Sequence, residues 1–200
     1  MEQISKVITV EEHFMSEKVN GEYQKLLEKK NLTLAQKAKA NFIQQFVAKG
    51  EITEVGEKRL EFMETHGIDC QILSYGNNSP SYLDPKQAVV LCQMANEGLA
   101  GYFQQYPGNF YGFAVLPVGD TGAALTELER AVKTLGLKGI IFNGAYQESY
   151  FDEDRFFPIF EMAQELKVPV MLHPGEVPTE VAKTYYQGSW PVAVANVFAG

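Results

Sequence analysis

Lys138-Gly139-Ile140-Ile141-Phe142-Asn143 is followed by a helical stretch from Asp154 to Lys167, and that stretch by a second apolar run, Val168-Pro169-Val170-Met171-Leu172-His173. Between the runs, Phe156, Ile159, Phe160, Ala163 and Leu166 recur at helical steps and form one apolar stripe. Neither run alternates apolar with polar residues, so both read as strands buried on two faces. Strand, crossover helix and strand together predict two parallel neighbours in one sheet.

The same unit recurs toward the N-terminus. Leu125, Leu128, Val132 and Leu135 follow the Asp120-Thr121 start and stop at Gly136. Val89, Cys92, Leu99, Phe103 and Tyr106 share a face behind Asp84 as N-cap and Pro85 as first helical residue. Strands are predicted at Val7 to His13, Cys70 to Tyr75, Phe110 to Val118, Lys138 to Asn143 and Val168 to His173. The expected class is α/β, with these as about the first five strands of a (β/α)8 TIM barrel.

Residues 19–50 break the rhythm: Tyr23, Leu26, Leu27 and the stretch from Ala35 to Ala48 look helical, yet no strand separates them. We read a helical insertion after the first strand, where barrel loops are enlarged over active sites and could form a lid. A closed barrel takes about 250 residues. The 200 residues here, ending in the apolar run Trp190 to Gly200, are expected to be one partial barrel domain truncated at the C-terminus.

Composition narrows the partners. A net charge of -8 and a pI near 5.0 oppose binding to nucleic acid, and no basic cluster with interleaved aromatics offsets them. No apolar run is long enough to span a membrane, and the N-terminus lacks a signal-peptide pattern, so a cytoplasmic protein is expected. Cys70 and Cys92 lie among apolar residues outside any C-x-x-C pattern and read as packed thiols. Dinucleotide and P-loop signatures are missing, as is a nucleophile elbow.

Candidate chemistry therefore rests on histidines and acids. In Val7-Ile8-Thr9-Val10-Glu11-Glu12-His13 a period of two puts Glu11 and His13 on one face and Glu12 on the other. A carboxylate and an imidazole suit a divalent ion such as Zn²⁺ or Mn²⁺. Read alone, the triplet is better explained as a charged turn after an edge strand. Met171-Leu172-His173-Pro174-Gly175 ends another strand with imidazole, on the rim where barrel enzymes keep their catalytic groups, although a histidine can also serve there as a hydrogen-bonded terminus. Jointly, the two sites favour a metal. His66 before Gly67 is assigned to helix capping, as is the acidic run Asp152-Glu153-Asp154. Asn143-Gly144 on the same rim either touches substrate or only connects elements.

Several stretches resemble the amidohydrolase-related family that includes γ-resorcylate, 5-carboxyvanillate and aminocarboxymuconate semialdehyde decarboxylases. Val10-Glu11-Glu12-His13-Phe14 is similar to the E-x-H form of the family's first metal motif. Gly112-Phe113-Ala114-Val115-Leu116-Pro117 and Leu137-Lys138-Gly139-Ile140-Ile141-Phe142-Asn143-Gly144 resemble its third- and fourth-strand blocks. Tyr150-Phe151-Asp152, Phe157-Pro158-Ile159-Phe160-Glu161 and Val168 to Pro174 resemble the approach to its third ligand.

The resemblance implies Glu11, His13 and His173 as metal ligands, with the remaining ligands and the catalytic proton donor beyond Gly200. It implies a Zn²⁺- or Mn²⁺-dependent, non-oxidative carboxy-lyase acting on a small hydroxybenzoate-like or related unsaturated carboxylic acid. It also implies a homo-oligomer. Two other readings stay open at this point: a metal-dependent amidohydrolase or lactonase, and an inactive fragment that pairs its open sheet edge with another subunit.

Overall fold

The structure is a computed structural model and describes residues 6–28, 50, 52–76, 79–175 and 177–185. Five strands, β1 (Ile8–His13), β2 (Cys70–Ser74), β3 (Phe110–Ala114), β4 (Gly139–Asn143) and β5 (Val170–His173), form one parallel sheet in sequential order. The described helices are α1 (Glu17–Glu28), α2 (Glu57–Thr65), α3 (Pro85–Gln105), α4 (Thr121–Lys133), α5 (Phe157–Leu166) and α6 (Thr179–Tyr185). Short 3-10 turns at Pro80–Tyr82 and Asp154–Phe156 precede α3 and α5.

Sequential order alone would fit a flat sheet, in which β1 and β5 would stand about 19 Å apart at the usual strand spacing. Instead, His13 at the end of β1 and His173 at the end of β5 bring their Nε2 atoms to 3.0 Å. Only a sheet rolled far enough for its outer strands to face one another across its concave side permits that approach. The five-strand expectation and the barrel class are both met by this curl.

The core lies between the convex face of the sheet and the helices. Leu73, Tyr75, Phe110, Ile140 and Phe142 pack there against Leu99, Leu128 and Ile159. Gly112 lets α3 lie close on β3, since a Cβ there would stand 2.4 Å from Cδ2 of Leu99. Burial on both faces holds for β4, whose residues are all buried, but not for the outer strands. Ile8 and Val10 of β1 and Leu172 of β5 are exposed, because an outer strand has a neighbour on one side only.

Several boundaries differ from the expected ones. β3 ends at Ala114 rather than Val118, because Val115 leaves the strand ladder and pairs with a side chain: its N–H donates to Asn96 Oδ1 and its carbonyl accepts from Asn96 Nδ2, both at 3.0 Å. Asn96 also donates to buried Glu127, which Arg130 neutralises at 2.8 Å. A polar residue thus belongs to the buried stripe of α3, with Ala88, Leu91, Cys92, Ala95 and Leu99, and the apolar pattern alone could not include it.

Asp84 occupies the N-cap of α3 without a side-chain cap bond, whereas Asp120 caps α4 by accepting from Ala123 N–H. The acidic run at 152–154 does not cap α5; the chain enters through the 3-10 turn, Glu153 pairs with Arg155, and α5 carries a proline in its first turn. His66 sits at the C-cap of α2 as expected, its Nδ1 2.8 Å from the Phe62 carbonyl. α1 starts before the expected insertion, at Glu17; residues 29–49, which carry most of the insertion and the suggested lid, lie outside the described residues, as does the run from Trp190 to Gly200.

Replacing Asn96 with Ala strands the Val115 amide and removes a donor from buried Glu127. The expected cost is about 2 kcal/mol or more in urea-induced unfolding, and a loss under about 0.5 kcal/mol, the range of an ordinary surface change, would contradict the assignment.

Candidate metal centre

β1 does not pair with β2 in uniform register. Thr9 opposes Gln71 and Glu12 opposes Leu73, so Val10 and Glu11 together span the single residue Ile72. This extra residue is a β-bulge, a device that re-aims the strand beyond it. Glu11 within the bulge and His13 beyond it share the concave face two residues apart, as expected, and His13 opposes Ser74. On the far side of the curl, His173 opposes Asn143 at the ends of β5 and β4.

The three expected residues are brought together. Nε2 of His173 lies 3.0 Å from Nε2 of His13 and 3.4 Å from Oε1 of Glu11, and one ligand atom from each residue falls within 4.8 Å of the others. Donors bound to one ion at about 2.0–2.2 Å stand about 3.0–3.5 Å from one another, so this spacing fits a shared cation. The His173 side chain is 11% exposed and the Glu11 side chain 62%, which leaves the carboxylate side of the site open.

Hydrogen bonds decide which atoms face the centre. Nδ1 of His173 lies 2.6 Å from the Pro174 carbonyl, which can only accept; Nδ1 therefore carries the proton and a neutral ring keeps its lone pair on Nε2. Nδ1 of His13 lies 3.4 Å from Ser74 Oγ, leaving its Nε2 toward His173 as well. Burial and the neighbouring His173 hold the His13 imidazole below its ordinary value, against the opposing pull of the Ser74 backbone, Glu11 and Glu12. The neutral form thus favoured is the one that ligates metal. With both Nε2 atoms unprotonated, as metal ligation requires, two imidazole lone pairs and a carboxylate oxygen this close repel one another unless positive charge lies between them, and such a donor set fits a divalent ion.

Ser74 and Tyr82, which the sequence did not single out, and Asn143, which it placed on the rim, lie around this centre. Ser74 contacts His13 from β2. Asn143, 2% exposed, donates from Nδ2 to the Tyr75 carbonyl at 3.3 Å, and Tyr82 hydroxyl bonds both its N–H and its carbonyl. Asn143 Oδ1 is buried without a hydrogen-bond partner among the described residues. The signal that could have found Ser74 is its place at a strand end on the same rim as Asn143. Beside the centre, between the rim and α5, lies a cavity of about 620 Å³ bounded by Phe142, Tyr150, Phe151, Phe160, Leu172 and His173. No described helix is long and apolar enough to cross a membrane.

A family model described as Amidohydrolase matches residues 45–198, a span that includes His173 and leaves out Glu11 and His13. Gamma-resorcylate decarboxylase of Polaromonas sp. is 34% identical over 151 residues, 71% of this chain and 46% of that protein. A dihydroxybenzoic acid decarboxylase structure from Polaromonas sp., with bound manganese and the inhibitor 2-nitroresorcinol, superposes with a TM-score of 0.73 at 29% identity, over 92% of this chain and 54% of that one. A 5-carboxyvanillate decarboxylase structure from Novosphingobium aromaticivorans, complexed with manganese and 4-hydroxy-3-methoxy-5-nitrobenzoic acid, gives a TM-score of 0.82 at 26% identity, over 99% and 60%. The chain spans about half the length of the curated relatives it matches.

Gly175 leaves β5 tightly against β4: a Cβ there would stand 2.7 Å from Asn143 C and Gly144 N. Gly175→Ala therefore has to displace backbone next to His173, at an expected cost of about 1–3 kcal/mol. Denaturant unfolding and the His173 ring signals in NMR read it; an unshifted ring resonance at unchanged stability would contradict this packing.

Proposed function

The chain belongs to the amidohydrolase family, and on that premise we propose that the whole protein is a divalent-metal-dependent decarboxylase of hydroxybenzoate-like acids, with Glu11, His13 and His173 as ligands. The observation that carries the reading is the convergence of one carboxylate oxygen and two imidazole nitrogens, donated by opposite ends of the sheet, on a point small enough for one cation. The relatives' decarboxylase activities and the manganese in two solved structures support it.

The donor set is mixed nitrogen and oxygen without thiolate, which suits Mn²⁺ or Zn²⁺. An ion held there supplies Lewis-acid polarisation and a template for a carboxylate and an adjacent phenolic oxygen. The chain's own residues do the rest on this side of the site. The Pro174 carbonyl fixes the His173 tautomer and Ser74 orients His13, so neither ring has to reorganise to ligate. Glu11 offsets part of the ion's charge at the open side, where an anionic substrate would enter. Decarboxylation breaks the bond between ring carbon and carboxyl carbon, releases CO₂ and requires a proton at that ring carbon; we place its donor outside these three residues, since each is committed as a ligand.

In the full-length protein one equivalent of Mn²⁺ or Zn²⁺ is expected. Glu11→Ala, His13→Ala and His173→Ala should each lower bound metal, with decarboxylation falling at least 100-fold. Elemental analysis and CO₂ release from a panel of hydroxybenzoates read the two effects. Equal metal in all four proteins would remove the ligand assignment, and turnover of a lactone panel with no CO₂ from any hydroxybenzoate would convert the reading to a hydrolase.

A further inference from the structure

Arg59, on the first turn of α2, reaches the metal-bearing end of β1 from the convex side. Its Nη2 donates to the His13 carbonyl at 3.2 Å, its Nη1 to Oε1 of buried Gln71 at 3.3 Å, and its Nε to the Glu54 carbonyl at 3.1 Å. Gln71 opposes Thr9, the last regularly paired residue before the bulge, whereas His13 ends the strand beyond it. One rigid planar group thus ties the end of β1 beyond the irregularity to the β2 residue that faces the strand before it.

A bulge loosens a strand, because the extra residue is left out of the ladder. This one contains Glu11 and lies directly before the end of β1 that carries His13, so any play in it moves both proposed ligands relative to His173. The guanidinium removes that play, its fork holding several acceptors in a fixed relation that a flexible ammonium does not impose. Glu12, turned away from the centre, and Glu54 sustain the charge of Arg59 against the effect of burial. The chain leaving β1 is pinned as well, by Phe14 N–H to the Ser74 carbonyl at 3.0 Å and Met15 N–H to the Ile52 carbonyl at 2.7 Å.

We propose that Arg59 is a positioning residue of the metal centre: by clamping the His13 carbonyl and Gln71 across the β1 bulge, it sets the distance between the β1 ligands and His173. The inference rests on the metal reading given above, and it concerns ligand geometry rather than contact with substrate.

The test uses the full-length protein stripped of metal and titrated with Co²⁺, whose visible absorption reports coordination geometry. Arg59→Met is expected to weaken Co²⁺ binding about 10- to 100-fold and to change the absorption bands at saturation, with Arg59→Lys in between. Leu128→Val, remote from the site in α4, controls for general destabilisation and should keep both affinity and spectrum. Unchanged affinity and spectrum in folded Arg59→Met would overturn the proposal, as would an equal loss in Leu128→Val. Should Arg59→Met fail to fold, Arg59→Lys decides: several-fold weaker binding with altered bands upholds the proposal, and wild-type behaviour overturns it. His13→Ala separates the two levels. If the wild type binds Co²⁺ and His13→Ala does not, a wild-type-like Arg59 series defeats only the positioning role; if the wild type binds no Co²⁺, the metal reading itself falls.

Discussion

The convergence of Glu11, His13 and His173 depends on the curvature of one parallel sheet. Strands stacked in sequential order would leave their first and last members far apart. Rolling the sheet makes those two the nearest groups on its concave side, and the Nε2 contact between His13 and His173 is the direct measure of that closure. The helices cover the convex face and supply the burial that holds the roll, with Gly112 leaving room for Leu99 of α3. The concave side is left for polar side chains at the strand ends.

Within that frame the centre is held by short-range devices. His173 is oriented by the carbonyl of the residue that follows it, His13 by a hydroxyl one strand away, and Glu11 by a bulge that re-aims the end of β1. Their common effect is to present lone pairs to one point. Such an arrangement is costly without positive charge and favourable with it, which is why three polar groups at strand ends read as a binding centre rather than as loose termini.

Much of this was legible in the sequence because the signals were local. Continuous apolar runs marked β2 to β5, helical stripes marked α3 to α5, and a two-residue period put Glu11 and His13 on one face. What escaped depends on distance. Asn96 is polar, so the apolar pattern drops it from the buried stripe of α3, and only the three-dimensional approach of Val115 and Glu127 explains its burial. The same pairing ends β3 earlier than its apolar composition suggests. The bulge could not be read from β1 alone, since register belongs to two strands, and Ser74 and Arg59 carry no motif that sets them apart from ordinary strand-end or helical residues.

The contact between the two imidazoles joins positions 160 residues apart in the chain. Closing so long a loop places it among the latest events of folding, after the local strand–helix units have formed. A cation captured there would act as a clasp on the finished roll: it would bind the native arrangement and not its precursors, so that metal occupancy and resistance to unfolding rise together.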